Sequence, residues 1–386
     1  MEKNDWISIE NRCGLGLYAQ RGICLVRGKN SRVWDDQGRM YIDCVAGNGV
    51  ANIGHANPAV IRSLKRQART LITCSNLFSN DVRARLMEKL VRIGPPGLHR
   101  VYLCNSGAES VEAAIKFARA STKRTDIICA ERAFHGRTFG ALSATHREKY
   151  RSGFEPLVPG FHFIPFNDIE ALGKAVDGRT AAVILEVVQG EGGIHIGSSD
   201  YFHGVQTLCR EKGVLLILDE IQTGFCRTGK MFACQHFDLE PDMLCAAKGI
   251  AGGFPMGAVL CSDRVRVETG KHGSTFGGNP LACAAGLAAI GFMEKNALDR
   301  AAIEKGEYLG KRLANRTLSK VREIRRLGLM VGIECVDEVW PHVQALQDRG
   351  ILVFPAGTHV IRLLPPLTIG RQDLDAVADG LAEVLA

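Results

Sequence analysis

Val214-Leu215-Leu216-Ile217-Leu218-Asp219-Glu220-Ile221-Gln222-Thr223-Gly224 is the stretch whose reading decides the fold. Five apolar residues in a row predict a strand buried on both faces, as in a parallel sheet covered by helices. Such a strand has no place for a carboxylate before its C-terminal end. Asp219 stands at that end, where open α/β sheets take their ligands. A second short apolar run, Met243-Leu244-Cys245-Ala246-Ala247, ends in Lys248 and is followed by Gly252-Gly253-Phe254-Pro255. The pair therefore predicts an acid and an amine on the lips of neighbouring strands. The simpler reading is a capping Asp and a solvated Lys, and on these two residues alone it is preferred.

Outward from this stretch, strands and helices alternate. Val101–Cys104, Asp126–Ala130 and Thr180–Leu185 read as strands; Ala108–Ser121 and Tyr201–Lys212 read as helices. That alternation predicts an α/β domain of three layers with a mostly parallel sheet. Near the start, Val33-Trp34 and Met40-Tyr41-Ile42 flank Asp35-Asp36-Gln37-Gly38, a hairpin pattern. Beyond Glu294 the pattern becomes helix, strands at Val331–Cys335 and Val360–Leu364, then a last helix from Asp373. The expected division is an arm and part of a small domain in 1–50, a large domain in 51–293, and the rest of a small α+β domain in 294–386.

The 386 residues suffice for a large core and two domains. At 46% hydrophobic and 23% charged, the composition is that of an ordinary soluble protein. The net charge of +7 comes without a dense basic run, so no nucleic-acid partner is expected. The 13 cysteines lie mostly in apolar runs and include no Cys-x-x-Cys pair, which suits buried thiols in a reducing compartment. The start, Met1 to Trp6, lacks a signal-peptide core, and no apolar run is long enough to span a membrane. The expectation is a cytoplasmic protein.

Four further motifs could carry chemistry. Asn105-Ser106-Gly107-Ala108-Glu109 joins a strand to a helix. It reads equally as an anion seat at a helix N-terminus or as a Ser106/Glu109 capping box. Phe134-His135-Gly136-Arg137 offers an aromatic face and a guanidinium suited to a carboxylate, although an isolated Phe is more simply core. Glu186 ends an apolar strand, and Gln189-Gly190-Glu191-Gly192-Gly193 follows it; no His or Cys with ligand spacing joins these acids, so no metal is expected. Gly273-Ser274-Thr275-Phe276-Gly277-Gly278-Asn279-Pro280 is a second candidate phosphate loop. A lysine able to form a Schiff base, with an acid able to keep a pyridine nitrogen protonated, is what pyridoxal phosphate requires.

Taken in order, these motifs with Lys248 and Ile361-Arg362-Leu363-Leu364-Pro365-Pro366-Leu367 resemble the class III, fold-type I pyridoxal-phosphate aminotransferases. The resemblance runs from about Gly22 to the C-terminus. It is closest to the acetylornithine branch. Tyr41–His55 and Arg326–Gly332 look most like enzymes that act on lysine or ornithine precursors held on a small acidic carrier protein.

The resemblance implies roles. Lys248 would form the Schiff base and then move the proton at Cα, and Asp219 would hold the ring nitrogen protonated. Ser106, Gly107 and Ala108 would hold the phosphate, with Thr275 reaching it from the second subunit of a homodimer. Phe134 and Ile221 would sandwich the ring and Gln222 would bond its hydroxyl, while His135, Glu186 and Glu220 complete the cofactor set. Arg362 would bind the α-carboxylate of glutamate or 2-oxoglutarate, and Glu191 would pair with Arg362 when the terminal-amine substrate is bound. Arg137 and Ser274 are the remaining substrate residues. The implied reaction is amino transfer between glutamate and a terminal semialdehyde, carrier-bound or free as in acetylornithine, ornithine or 4-aminobutyrate. Arg21, Arg27, Lys29 and Arg32 are the expected docking contacts for a carrier. Two departures stand out: Val187 replaces a proline common in the family, and Cys226 a glycine.

Overall fold

The computed structural model describes residues 5–386; residues 1–4, the start of the expected arm, lie outside the described residues. Seven strands form the central sheet: β1 (Arg100–Cys104), β2 (Asp126–Ala130), β3 (Phe161–Ile164), β4 (Thr180–Glu186), β5 (Leu215–Asp219), β6 (Met243–Ala246) and β7 (Gly257–Cys261). Their spatial order is β1-β7-β6-β5-β4-β2-β3. Pairing is parallel from β6 through β3, and β7 runs antiparallel to both its neighbours. The expected three-layer α/β fold with a mostly parallel sheet is what forms.

Every residue of β4 and β5 is buried, because the sheet is covered on both faces. The pleat sends alternate residues to opposite sides. Leu215 and Ile217 pack with Val111, Ala114 and Ile115 of helix Gly107–Thr122. Leu216 and Leu218 pack in the other cluster, with Phe202 and Val205 of helix Ser199–Lys212 and Ile290 of helix Pro280–Lys295. Full burial of each such side chain contributes about 1.5–3 kcal/mol, which leaves Asp219 no way into the sheet interior. It emerges beside Glu186 of β4 and Cys245 of β6.

The two ends of the chain meet elsewhere. Strands Arg32–Asp35 and Met40–Asp43 pair as the expected hairpin, and Ile351–Leu352 joins its edge in parallel. A second sheet contains Val321–Leu327, Met330–Cys335, Val360–Leu363 and Phe354–Pro355, in that order. Asp373 ties the ends together, accepting from Ser31 Oγ at 2.6 Å and pairing with Arg32 at 2.6 Å. Arg21 Nη1 donates to the Val353 carbonyl at 2.7 Å. Two of the four expected docking residues, Arg21 and Arg32, are thus engaged within the fold. Arg27 lies over the Trp34 ring, 4.0 Å from its centroid.

The cysteines are free thiols, most of them buried. Cys226 is buried with φ of 70°, and Phe225 before it has φ of 58°. That left-handed backbone is one that glycine adopts freely and cysteine does not. Val187 is core. Among the described residues no single helix is long and apolar enough to cross a membrane.

Candidate active site

A cavity of about 440 Å³ opens at the C-terminal ends of β4, β5 and β6. Asp219 and Lys248 both line it, with Ser106, Gly107, Ala108, Phe134, His135, Arg137, Glu186, Glu191, Ile221 and Gln222. Ser274, Thr275, Glu220 and Arg362 are not on that wall.

Asp219 is fixed by two hydrogen bonds. Its Oδ2 meets His135 Nδ1 at 2.7 Å, and its Oδ1 accepts from the Ile221 amide at 3.0 Å. Burial pulls the His135 pKa down, but the bond and charge of Asp219, with Glu186 beyond, carry it above the usual value. The other ring nitrogen, His135 Nε2, is buried without a partner. Glu186 accepts the amides of Phe134 and Gly190, each at 3.0 Å, and so holds the loops that follow β2 and β4. Burial pushes its pKa up to about 7, against the pull of His135.

Lys248 begins a single turn, Lys248–Ala251, with φ of 44°. A non-glycine residue rarely adopts that conformation, which is held where the surroundings over-determine it. Its amine has no hydrogen-bond partner among the described residues. Burial lowers its pKa to about 8, with Glu191 opposing and Arg362 reinforcing the shift.

At the opposite wall, helix Gly107–Thr122 starts with its first amides toward the cavity. Ser106 Oγ accepts from Glu109 N at 3.2 Å, and Glu109 accepts from Asn105 N at 3.0 Å. The cap is therefore real, and it also leaves the Gly107 and Ala108 amides free to meet an anion. A Cβ at Gly107 would come within 2.9 Å of the Ile221 side chain, so the approach demands glycine.

Arg362 stands on Val360–Leu363 behind the cavity and is 1% exposed. Its Nη1 donates to Glu191 Oε1 at 2.5 Å and to Gln222 Oε1 at 3.2 Å, while Nε and Nη2 have no partner among the described residues. Burial would raise the Glu191 pKa, but Arg362 and Lys248 hold it below the usual value. Arg137 is exposed on the rim, its guanidinium 4.0 Å from the Tyr150 ring centroid.

Glu220 departs from expectation. Strand alternation sends it to the side opposite Asp219, where it accepts the amides of Ala233 and Cys234 and the Thr223 hydroxyl. It shapes the turn beneath β5 and does not reach the cavity. Ser274 borders the cavity only through Asn105, whose Nδ2 donates to its Oγ at 3.2 Å. Thr275 is exposed, beside Phe276 at 62% exposure. Val50, Phe254 and Met256 also line the cavity and were not anticipated. Val50 lies within the Tyr41–His55 stretch of the resemblance and follows Gly47, Asn48 and Gly49, which have positive φ.

The profile of the class-III aminotransferases matches residues 18–385. The chain is 43% identical to the acetylornithine aminotransferase of Methanocaldococcus jannaschii over 394 residues, 100% of this chain and 98% of the relative. It is 44% identical to the [LysW]-aminoadipate semialdehyde transaminase of Deinococcus radiodurans over 385 residues, 98% and 90% of the two chains. Two structures of the ornithine aminotransferase from Toxoplasma gondii superpose with TM-scores of 0.94 and 0.93 at 34% and 33% identity, each covering 99% of this chain and 94% of that one. One of them describes partial occupancy of PLP at the active site.

With a pKa of about 8, roughly a tenth of the Lys248 amines are neutral at pH 7, against fewer than about one in a thousand for an ordinary lysine. Competitive labelling of the cofactor-free protein with a small acylating reagent, read by peptide mass spectrometry, should give Lys248 a midpoint near pH 8. A midpoint near that of exposed lysines would contradict this electrostatic description.

Proposed function

The chain belongs to the class-III aminotransferases, and from that premise we propose that it moves an amino group between glutamate or 2-oxoglutarate and the terminal semialdehyde of a lysine or ornithine precursor. It is a transaminase, and its family depends on pyridoxal phosphate. The cavity fits that cofactor: a glycine-bared helix start suits a phosphate, and Asp219 and Lys248 supply the acid and the amine. When bound, the cofactor supplies the aldehyde and the electron-withdrawing ring that amino transfer needs.

The chain's own residues take the following parts. Lys248 Nζ would hold the cofactor and would carry the proton at the amino-bearing carbon; its lowered pKa suits a base near neutral pH. Asp219, oriented by His135, would present its carboxylate to the ring nitrogen. Phe134 and Ile221 would bound the ring, and Gln222 would face its hydroxyl. Ser106, Gly107 and Ala108 would receive the phosphate. Arg137 on the rim and Ser274 beside Asn105 complete the substrate contacts.

The observation that carries the substrate reading is Arg362. A buried guanidinium with two unpartnered nitrogens calls for a planar anion, and the α-carboxylate of glutamate supplies one. Glu191 occupies the third nitrogen and neutralises the arginine. With Glu191 in place the site accepts a substrate that carries a terminal amine and no second carboxylate there. With Glu191 displaced it accepts glutamate.

For the semialdehyde, the relatives support two readings equally. In the first, the substrate rides on a small acidic carrier protein. In the second, it is free, the aldehyde counterpart of acetylornithine. Arg21 is engaged by the Val353 carbonyl, while Arg27, Lys29 and Arg32 keep exposed side chains, Arg32 at 39% even in its pair with Asp373, so three cations of the expected docking set stay accessible. A homodimer is part of the proposal. Leu77, Phe78 and Phe276 are exposed on loops that Asn76 ties together, beside Thr275, and a second subunit would cover them. In that assembly Thr275 reaches the partner's phosphate seat. Sedimentation at micromolar concentration should give twice the chain mass; a stable monomer would sink this part.

The function is tested by loading the enzyme with glutamate, then offering semialdehydes free and carrier-linked. Arg362→Ala should lower the glutamate half-reaction about 100- to 1000-fold, the effect of stranding a buried charge partner, with the cofactor still bound. Turnover of the free semialdehyde that corresponds to acetylornithine, equal to that of the carrier-linked form, selects the second reading. Failure to react with glutamate at all would overturn both.

A further inference from the structure

Glu191 sits on the turn of a hairpin whose strands are Val188–Gln189 and His195–Ile196. On one side the turn is anchored to the large sheet, through the Gly190 amide on Glu186 and Gln189 Nε2 on the Glu131 carbonyl at 2.7 Å. Its other side rests on the second sheet of the chain ends. There Arg325, Gly332 and Arg362 lie abreast: Arg325 opposes Gly332 on one neighbouring strand, and Gly332 opposes Arg362 on the next. Directly opposed residues of antiparallel strands present their side chains to the same face. The hairpin lies along that row.

Each member of the row meets a different part of the hairpin. Arg362 holds Glu191. Gly332 leaves room for Ile194, whose Cγ1 would be 2.8 Å from any Cβ there. Arg325 donates from Nε at 3.1 Å and from Nη2 at 2.8 Å to the Gly193 carbonyl. Its Nη1 is held by Glu334 at 2.6 Å and by Glu323, and the side chain is only 10% exposed. The turn it grips is strained. Ile194 has φ of 59°, which a β-branched residue adopts only when its surroundings force it. Arg325 touches neither the cavity nor Glu191.

We propose that Arg325 is a positioning residue for Glu191: by pinning the far side of the hairpin to the Arg362 sheet it fixes the carboxylate over Arg362, and so tunes the balance between the site's two substrates. This rests on the reading of Glu191 and Arg362 given above. Gly332 acts with Arg325 by admitting Ile194. Because Gly190 remains anchored when Arg325 is lost, the expected effect is a partial loosening of the turn.

The test compares Arg325→Gln, Arg325→Lys and Gly332→Ala with the parent holoenzyme, with Glu191→Gln as reference. In Arg325→Gln, kcat/KM for a terminal-amine donor such as ornithine should fall about tenfold, the effect of losing one charge-assisted anchor. The glutamate half-reaction should change less than about threefold. Arg325→Lys should recover part of the loss, and Gly332→Ala should shift the ratio in the same direction. Hydrogen exchange at residues 190–194 should accelerate about tenfold in Arg325→Gln while exchange in β5 is unchanged. An equal fall in both half-reactions, or unchanged exchange in the hairpin, overturns the proposal. If the parent protein reacts with neither donor, the transaminase reading fails, and the exchange measurement still decides whether Arg325 pins the turn.

Discussion

The bond between Asp219 and His135 is the constraint on which the site depends. A fully buried parallel strand delivers the carboxylate to the sheet edge, and His135 Nδ1 at 2.7 Å fixes its direction there. The Ile221 amide takes the other oxygen. Neither oxygen is left to swing toward solvent, so the acid meets whatever enters the cavity in one orientation. Glu186 stands beside it on the next strand, with its pKa raised to about 7, and its two oxygens hold the loops that bring Phe134 and the Glu191 turn into place. Three side chains at adjoining strand ends thus organise a wall that no single loop could hold.

The chemistry is divided between two bodies of structure. The large sheet carries the acid, the amine and the anion seat, positions that amino transfer needs unchanged for every substrate. The sheet built from the chain ends carries Arg362, which in the proposed function reads the substrate's carboxylate. Between them runs the hairpin of Glu191, anchored on both. A site that must accept two unlike substrates in turn needs one element that can change state while the rest holds still. The Glu191 side chain is suited to that part, while Arg325 holds the strained turn at Gly193 and Ile194 behind it.

Much of this was legible in the sequence, for identifiable reasons. Runs such as Leu215–Leu218 and Ala182–Leu185 can only be buried strands, so the parallel core and the placement of Asp219 follow from them. The edge strand Val321–Leu327 was not legible, because its sequence Val-Arg-Glu-Ile-Arg-Arg-Leu faces solvent at several positions and shows no clean alternation. Strand β7 begins at a glycine that leaves no room for a Cβ beside the Ser106 carbonyl, and nothing in its local sequence announces its antiparallel direction. The pairing of Glu191 with Arg362 spans 171 residues, so no local pattern encodes it; only the family resemblance suggested it. Glu220 is the reverse case. Alternation along β5 alone places it opposite Asp219, and the motif that made it a cofactor residue hid that simpler geometry.

The most direct test of the central claim is a single-turnover reaction of Asp219→Asn with glutamate, followed with the cofactor's retention measured on the same sample. Asn keeps the shape and can still accept from His135, but it brings no charge to the ring nitrogen. The account predicts a protein that folds and holds the cofactor while transferring the amino group at least about 100-fold more slowly. A rate within about threefold of the parent, with cofactor fully bound, would contradict it.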